Sequence, residues 1–358
     1  MVMLKSHLRR ARTFFTVAIS LLGGACCRVP ELPAHFEAGG QPVWTVSVVP
    51  TQDKHKAEFD VRRQIAFASD GELVTISDDG PSGQLVGATV IAARDGRVVR
   101  KVAWESKHPN YVFATAGGQY AVVSDGATTL YSGSLDHVVK RVNTEVGYQS
   151  PDRRVLARTE FRNGEHSVSL FDASTIAPLR VGFRGQYLWS FTDRWIAEIV
   201  YAKNHHAVVR LTSPDAHQVE WESGCKAGLG QEVRPQFVSA DLIAAVGCNR
   251  LDVITTAGGL VFSAELAADY AHVAAVSPTG ARFAIVQAFL RRGDPSTLCV
   301  ERIVVFDVNQ HKAIFMTDVS DLAGTTGGAS GLAFSPSGAY LAVNSAGTVR
   351  MFALLPTS

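Results

Sequence analysis

Several signatures of catalysis are missing from this chain. It contains no Gly-x-Ser-x-Gly, no His-Glu-x-x-His and no Gly-x-x-x-x-Gly-Lys-Ser/Thr. A serine nucleophile elbow, a zinc helix and a phosphate loop are therefore unsupported. Gly228-Leu229-Gly230 lacks the third glycine and the following helix of a dinucleotide site. Cysteine is sparse, with five residues and no Cys-x-x-Cys, so no redox pair or zinc ribbon is written locally. His205-His206 are adjacent, and neighbours on an extended strand point to opposite faces, so they do not chelate together. Asp78-Asp79-Gly80 lacks the alternating oxygen ligands of a calcium loop. No metal or cofactor is indicated. Charged residues are only 19% of the chain, and 34 Lys+Arg face 33 Asp+Glu. A nucleic-acid binder needs a dense basic face to neutralise phosphates, so that class is excluded. No segment carries a convincing helical period.

What is abundant is glycine, 31 residues, within a chain that is 46% hydrophobic. That composition buries a large core and supplies many tight turns. The turns recur in a theme: a small apolar strand, then Ser-Pro-x-Gly or Ser-Asp-Gly, then a second apolar strand and a third ending in Phe-Asp. Leu332–Val343 (LAFSPSGAYLAV) is the clearest copy, echoed by Val273–Val286 and Ile65–Ile76. Repeats of roughly 35–50 residues are the mark of a closed toroid rather than of separate domains. Seven units follow, at about 62–104, 110–142, 146–182, 186–222, 234–266, 271–319 and 329–355. The last has only three strands. Val43–Val49 (VWTVSVV) is a lone strand with no local partner. Placed as the outer strand of the last unit, it closes the ring and removes the open edge. The expected fold class is all-β: a single β-propeller over residues 42–356, seven blades of four antiparallel strands, closed by an N-terminal strand. Six or eight blades are the alternatives in number, and a pair of β-sandwiches is the structural rival, which the regular period disfavours.

Over about residues 43–355 the pattern resembles the WD40/YVTN-like propeller superfamily. Phe171-Asp172 and Phe306-Asp307 stand where strict WD40 repeats have Trp-Asp, and the Gly-His pair of those repeats is absent. The resemblance implies the propeller fold and no particular activity. Propeller enzymes assemble sites from channel residues tens of positions apart, so a lactonase-like or quinoprotein-like activity, or small-ligand binding in the channel, stays open as the alternative.

The N-terminus reads as an export signal over residues 1–25. Lys5, Arg9, Arg10 and Arg12 precede Thr13–Leu22, an apolar stretch of roughly ten residues that is too short for a comfortable permanent span. Leu22-Gly23-Gly24-Ala25-Cys26 resembles a lipoprotein cleavage box, with Gly23 where a large apolar residue usually stands. Cys26 is thus the candidate lipidation site, and ordinary cleavage after Ala25 is the rival. Residues 26–41, rich in Pro, Gly and Ala, read as a linker. The expected location is periplasmic or membrane-anchored through an N-terminal lipid.

In a propeller the loops between blades and the turns joining second and third strands emerge on one face. Cys225 and Cys248 share that face within one blade, so in an oxidising compartment they are expected to form a disulfide, with buried free thiols as the alternative. Cys299 is left over, at the base of an insertion, Ala288–Leu298, that projects from the same face. Phe289, Arg291, Arg292 and Asp294 in this insertion are the candidate partner-binding residues, against the plainer reading of a solvated loop. The function expected is an exported, non-catalytic scaffold for an unknown protein partner at the cell envelope. A purely structural envelope lipoprotein is a third reading.

Overall fold

The computed structural model describes residues 29–33, 41–48, 65–78, 86–103, 109–162, 165–185, 188–201, 206–213, 215, 217–226, 233–291, 294–319, 331–345 and 348–354. The expected leader, Cys26 and Arg292 lie outside them. The described residues form seven four-stranded antiparallel sheets and no helix. From the inside outward, blade one is Ile65–Phe67, Glu72–Asp78, Val86–Ala92 and Val98–Ala103. Blade two is Pro109–Ala114, Tyr120–Ser124, Ala127–Tyr131 and Val138–Val142. Blade three is Tyr148–Gln149, Val155–Arg162, Glu165–Asp172 and Pro178–Gly185. Blade four is Leu188–Phe191, Ile196–Tyr201, His206–Thr212 and Gln218–Lys226. Blade five is Arg234–Phe237, Leu242–Gly247, Arg250–Thr255 and Leu260–Glu265. Blade six is Tyr270–Val276, Arg282–Arg291, Asp294–Asp307 and Lys312–Val319. Blade seven is Gly331–Phe334, Tyr340–Ser345, Thr348–Ala353 and, as its outer strand, Trp44–Ser47.

The core is divided among the blade interfaces. Each buried apolar cluster draws on two neighbouring blades. Ala66 and Val74 meet Val112 and Tyr120 between blades one and two. Ile303 and Phe315 meet Leu341 and Phe352 between blades six and seven. The interface that closes the ring joins Phe67 and Leu73 to Ala342 and Met351. Second and third strands are buried on both faces and read as continuous apolar runs, such as Leu242–Gly247. Outer strands alternate or are exposed, as in Leu260–Glu265.

Closure by the N-terminal strand is explicit. Trp44 pairs with Met351, Val46 with Val349 and Ser47 with Thr348, antiparallel. The Trp44 indole packs on the closing cluster and donates Nε1–H to the Ala93 carbonyl of blade one at 2.8 Å. Gly96 permits this: its φ is +73°, and a Cβ there would sit 2.7 Å from Trp44 Cδ2. Gly96→Ala is expected to destabilise by about 2 kcal/mol, from overpacking plus the left-handed penalty of a side chain. Equilibrium denaturation checks this.

The Phe-Asp pairs have a structural job. Asp172 Oδ1 accepts from Ser174 N, Ser174 Oγ, Thr175 N and Thr175 Oγ1 within the turn from third to fourth strand. Asp307 Oδ1 accepts from the amides of Asn309 and Gln310 in the equivalent turn. These are Asx turns, and they give the Asp of each Phe-Asp pair its use. The Ser174 hydroxyl leads the bonds that hold the Asp172 carboxyl below its ordinary value, against the opposing effect of burial. A depressed folded pKa contributes stability above the unfolded value and loses it as pH falls. Asp172→Asn is therefore expected to flatten the loss of stability between about pH 5 and pH 3, measured by chemical denaturation at each pH.

Candidate functional site

First strands of all seven blades surround a central cavity of about 270 Å³. Most of its lining residues have apolar side chains, Val112, Phe113, Phe191, Val273 and Leu332 among them, although polar atoms make up the larger part of the exposed wall. The polar members are Gln149, Ser150, Ser190, Gln236, Tyr148 and Arg153. No His, Asp, Glu or Cys appears among the described lining residues. Several of the polar groups are engaged within the fold: Gln149 Nε2 donates to the Ala114 carbonyl at 2.9 Å, Ser190 Oγ accepts from Phe237 N at 3.0 Å, and Ser150 Oγ donates to Asp152 Oδ1 at 2.6 Å and accepts from Val155 N at 3.0 Å.

Arg153 dominates one mouth. It stands in the turn after the first strand of blade three and reaches across the channel. Its guanidinium donates to the carbonyl of Phe67 in blade one and, at 2.9 Å, to that of Phe334 in blade seven. Its own carbonyl accepts from Ala116 N of blade two. One residue thus ties four blades at their first turns. Burial pulls the Arg153 pKa down to about 10, opposed by the charges of Tyr120 and Asp70, so it remains cationic at neutral pH. Burial pushes the Tyr120 hydroxyl up to about 12, and its oxygen accepts from Ala68 N. Asp70 accepts from Ser337 N at 3.0 Å and Ser337 Oγ at 2.9 Å, joining blades one and seven. Burial raises the Asp70 pKa, but these bonds outweigh it and leave the carboxyl below its ordinary value.

A signal for Arg153 was present in the chain. Gly280 and Gly338 occupy the fourth place of Ser-Pro-Thr-Gly and Ser-Pro-Ser-Gly with φ of +70° and +74°. Ser150-Pro151-Asp152-Arg153 puts arginine there, and Arg153 still adopts φ +62°. A side chain at a position built for glycine is retained against a backbone cost of about 1 kcal/mol, which points to a use for it.

The opposite face carries the other candidates. Cys225 and Cys248 are joined, with Cα atoms 5.7 Å apart. Cys248 and Asn249 hold φ of 51° and 58° in the two-residue turn between Gly247 and Arg250, and the bond pins that turn to the last strand of blade four. The insertion of blade six is a hairpin extension rather than an irregular loop. Phe289 pairs with Val300, and Arg291 pairs with Asp294 near the tip. Phe289 is 3% exposed and lies beneath the Arg302 guanidinium, 5.4 Å from ring centroid to Cζ. The expectation that Phe289 faces a partner is corrected: its strand register turns the ring inward. Arg302 is buried, forks onto Asp318 Oδ1 and Oδ2 at 2.6 and 3.0 Å, and donates to the Pro30 carbonyl at 2.6 Å. Pro30 falls within the expected linker, so this part of it is docked on blade six. His206 pairs with Glu222 at 3.2 Å, while His205 lies outside the described residues. Trp195 and Trp221 pack at the interface of blades four and five, as large aromatics do.

No family model matches the chain, and no curated protein matches it. Solved structures do. A chain of a mitotic checkpoint complex superposes with a TM-score of 0.53 at 13% identity, over 92% of this chain and 96% of that one. A chain of hydrazine synthase from Kuenenia stuttgartiensis superposes with a TM-score of 0.51 at 14% identity, over 85% of this chain and 99% of that one. One neighbour belongs to a regulatory assembly and the other to an enzyme, so at these identities the likeness speaks to architecture. The chain has the fold of a WD40-like seven-bladed β-propeller.

Proposed function

We propose that this protein is an exported, non-catalytic propeller that presents a rigid face to a protein partner at the cell envelope. The observation that carries the reading is the central cavity. Propeller enzymes place acid–base or ligand groups at that position, whereas the polar side chains among the described lining residues here are amides, hydroxyls and one arginine already committed to two carbonyls. A preorganised ring loses little ordering entropy on binding, which suits a scaffold. Export is supported by the basic and apolar leader pattern and by the Cys225–Cys248 bond, since such bonds persist in oxidising compartments.

The second reading is a small-ligand binder using the same cavity, whose volume is that of a modest organic molecule. Photo-crosslinking in the producing cell separates the two. A crosslinking residue is placed at Arg291 in the hairpin extension of blade six, and in a second variant at Arg154, which is exposed on the opposite face. The scaffold reading expects a discrete protein adduct from one face and not the other. No adduct from either face, with a thermal shift on a small molecule that Gln149→Leu abolishes, favours the ligand reading.

A further inference from the structure

The outer strand of blade two, Val138–Val142, lies open to solvent along all but its last residue. Val138 is 53% exposed and Val139 47%, unusual values for apolar side chains in a strand. Among the described residues the strand pairs with Ala127–Tyr131 on one side and with nothing on the other. Blade one repeats the pattern at the same register. Val98 and Arg100 pair with Ile91 and Val90, as Val138 and Lys140 pair with Tyr131 and Leu130. Val98-Val99-Arg100-Lys101 thus matches Val138-Val139-Lys140-Arg141, and Val98 and Val99 are exposed as well. Blade three places exposed Leu179 before Arg180 at the equivalent positions. The rim is continuous here, since Lys140 Nζ donates to the Thr175 carbonyl of blade three at 2.6 Å.

Charge divides the outer strands into two sectors. Those of blades one to three hold Arg100, Lys101, Lys140, Arg141, Arg180 and Arg184 and no acidic residue. Those of blades four to six hold Glu220, Glu222, Glu265 and Asp318 against Lys226 and Lys312. Basic residues on an edge guard it against stray pairing. A guard needs no exposed valines, however. Valine pairs beside bases leave an apolar, cationic strip, whose complement is apolar and acidic. That complement is protein rather than lipid. An open sheet edge does not enter hydrocarbon, because its unpaired N–H and C=O groups find no partner there. Successive blades of a ring also turn away from any flat surface. An added strand satisfies the edge directly. Blade seven shows the fold accepting a strand from far off in the sequence, since Trp44–Ser47 completes it.

We propose that the outer edge of blade two captures an extended, acidic segment of a partner protein, which adds along Val138–Val142 as a fifth strand. The proposal rests on the scaffold reading and names the surface that carries it. Backbone bonds to the open edge supply affinity with little regard to sequence. Acidic side chains opposite Lys140 and Arg141, and β-branched ones beside Val138 and Val139, supply selectivity. The Thr175 carbonyl holds the Lys140 ammonium in place before anything binds. The Arg154 carbonyl accepts from Ala173 N, two residues before Thr175, so Arg154 lies on the side of the ring where this edge begins. Of the two crosslinking positions above, Arg154 is therefore the one expected to give the protein adduct.

The test is selection of short random peptides, displayed on phage, against the immobilised full-length protein, followed by amide hydrogen exchange with a synthetic copy of the winner. The expected winners lack proline and alternate Glu or Asp with Val, Ile or Thr. Their binding slows exchange across Val138–Val142 and weakens with salt. Arg141→Glu is expected to weaken the winner about fivefold with an unchanged melting temperature, because the residue is exposed. Exchanging the peptide's acids for lysine restores binding to that variant. Absence of any enriched peptide overturns the proposal, as do winners without acids or protection of another segment. Binding to phosphatidylglycerol vesicles without peptide binding assigns the strip to a membrane surface and also overturns it. So does a dimer that protects Val138–Val142 by itself, which assigns the edge to a second copy. A protein adduct at Arg291 beside a failed selection leaves the scaffold reading standing without this edge. Selected acidic peptides beside no adduct at either crosslinking position mean the reverse.

Discussion

Deleting the chain through Val48 is expected to lower the melting temperature by about 10 °C and to produce strand-exchanged dimers or aggregates. The deletion removes the pairing of Trp44–Ser47 with Thr348–Met351 and the indole bond to Ala93. A truncated tryptophan costs about 3–5 kcal/mol where it is packed, and the lost ladder bonds add roughly 1 kcal/mol each, so the total is on the order of 5 kcal/mol. For a chain of this size 1 kcal/mol moves the midpoint by about 2 °C. The bare edge at Thr348–Ala353 is also a template for another chain. Trp44→Ala is expected to give about half the thermal effect and no dimer, because the strand itself remains. A permutant that places residues 42–48 after Leu354 through a short turn restores both properties, since that strand runs antiparallel to its neighbour. Calorimetry and light scattering read the outcomes.

The second large effect is expected at Arg153. Arg153→Ala removes two charge-assisted bonds across the channel, each worth about 1.5–3 kcal/mol, while sparing the burial of a cation. The net expected loss is about 2 kcal/mol, or roughly 4 °C. Arg153→Gly is expected to lose about 1 kcal/mol less than the alanine variant, because φ of +62° suits glycine. The order wild type, glycine, alanine in thermal stability identifies the side chain as a crosspiece. An alanine variant as stable as wild type, with the glycine variant more stable than both, would mean that only the backbone conformation matters at this turn.

Period and turn chemistry made the architecture legible. Ser-Pro-x-Gly marks the first turn of a blade because glycine is wanted at a left-handed position, and Gly280 and Gly338 meet that need. The orphan strand at residues 43–49 could be assigned because three strands in the last unit left an edge to fill. The inward ring of Phe289 was not legible, because a long insertion between two strands reads the same whether it coils or extends the hairpin. Register decides it, and register follows from pairing that local sequence does not display. Arg153 was written as a departure from the glycine pattern, but its partners lie 86 and 181 positions away. The channel wall is similarly scattered over every blade, which is why motifs said nothing about its chemistry.

Amide hydrogen exchange across Thr348–Ala353 tests the closed ring most directly. With Trp44–Ser47 in place as the outer strand of blade seven, these amides exchange as slowly as those of Ala127–Tyr131, the equivalent third strand of blade two. Exchange of Thr348–Ala353 at the rate of an exposed edge, in the full chain at neutral pH, would contradict the closed ring on which the scaffold reading stands.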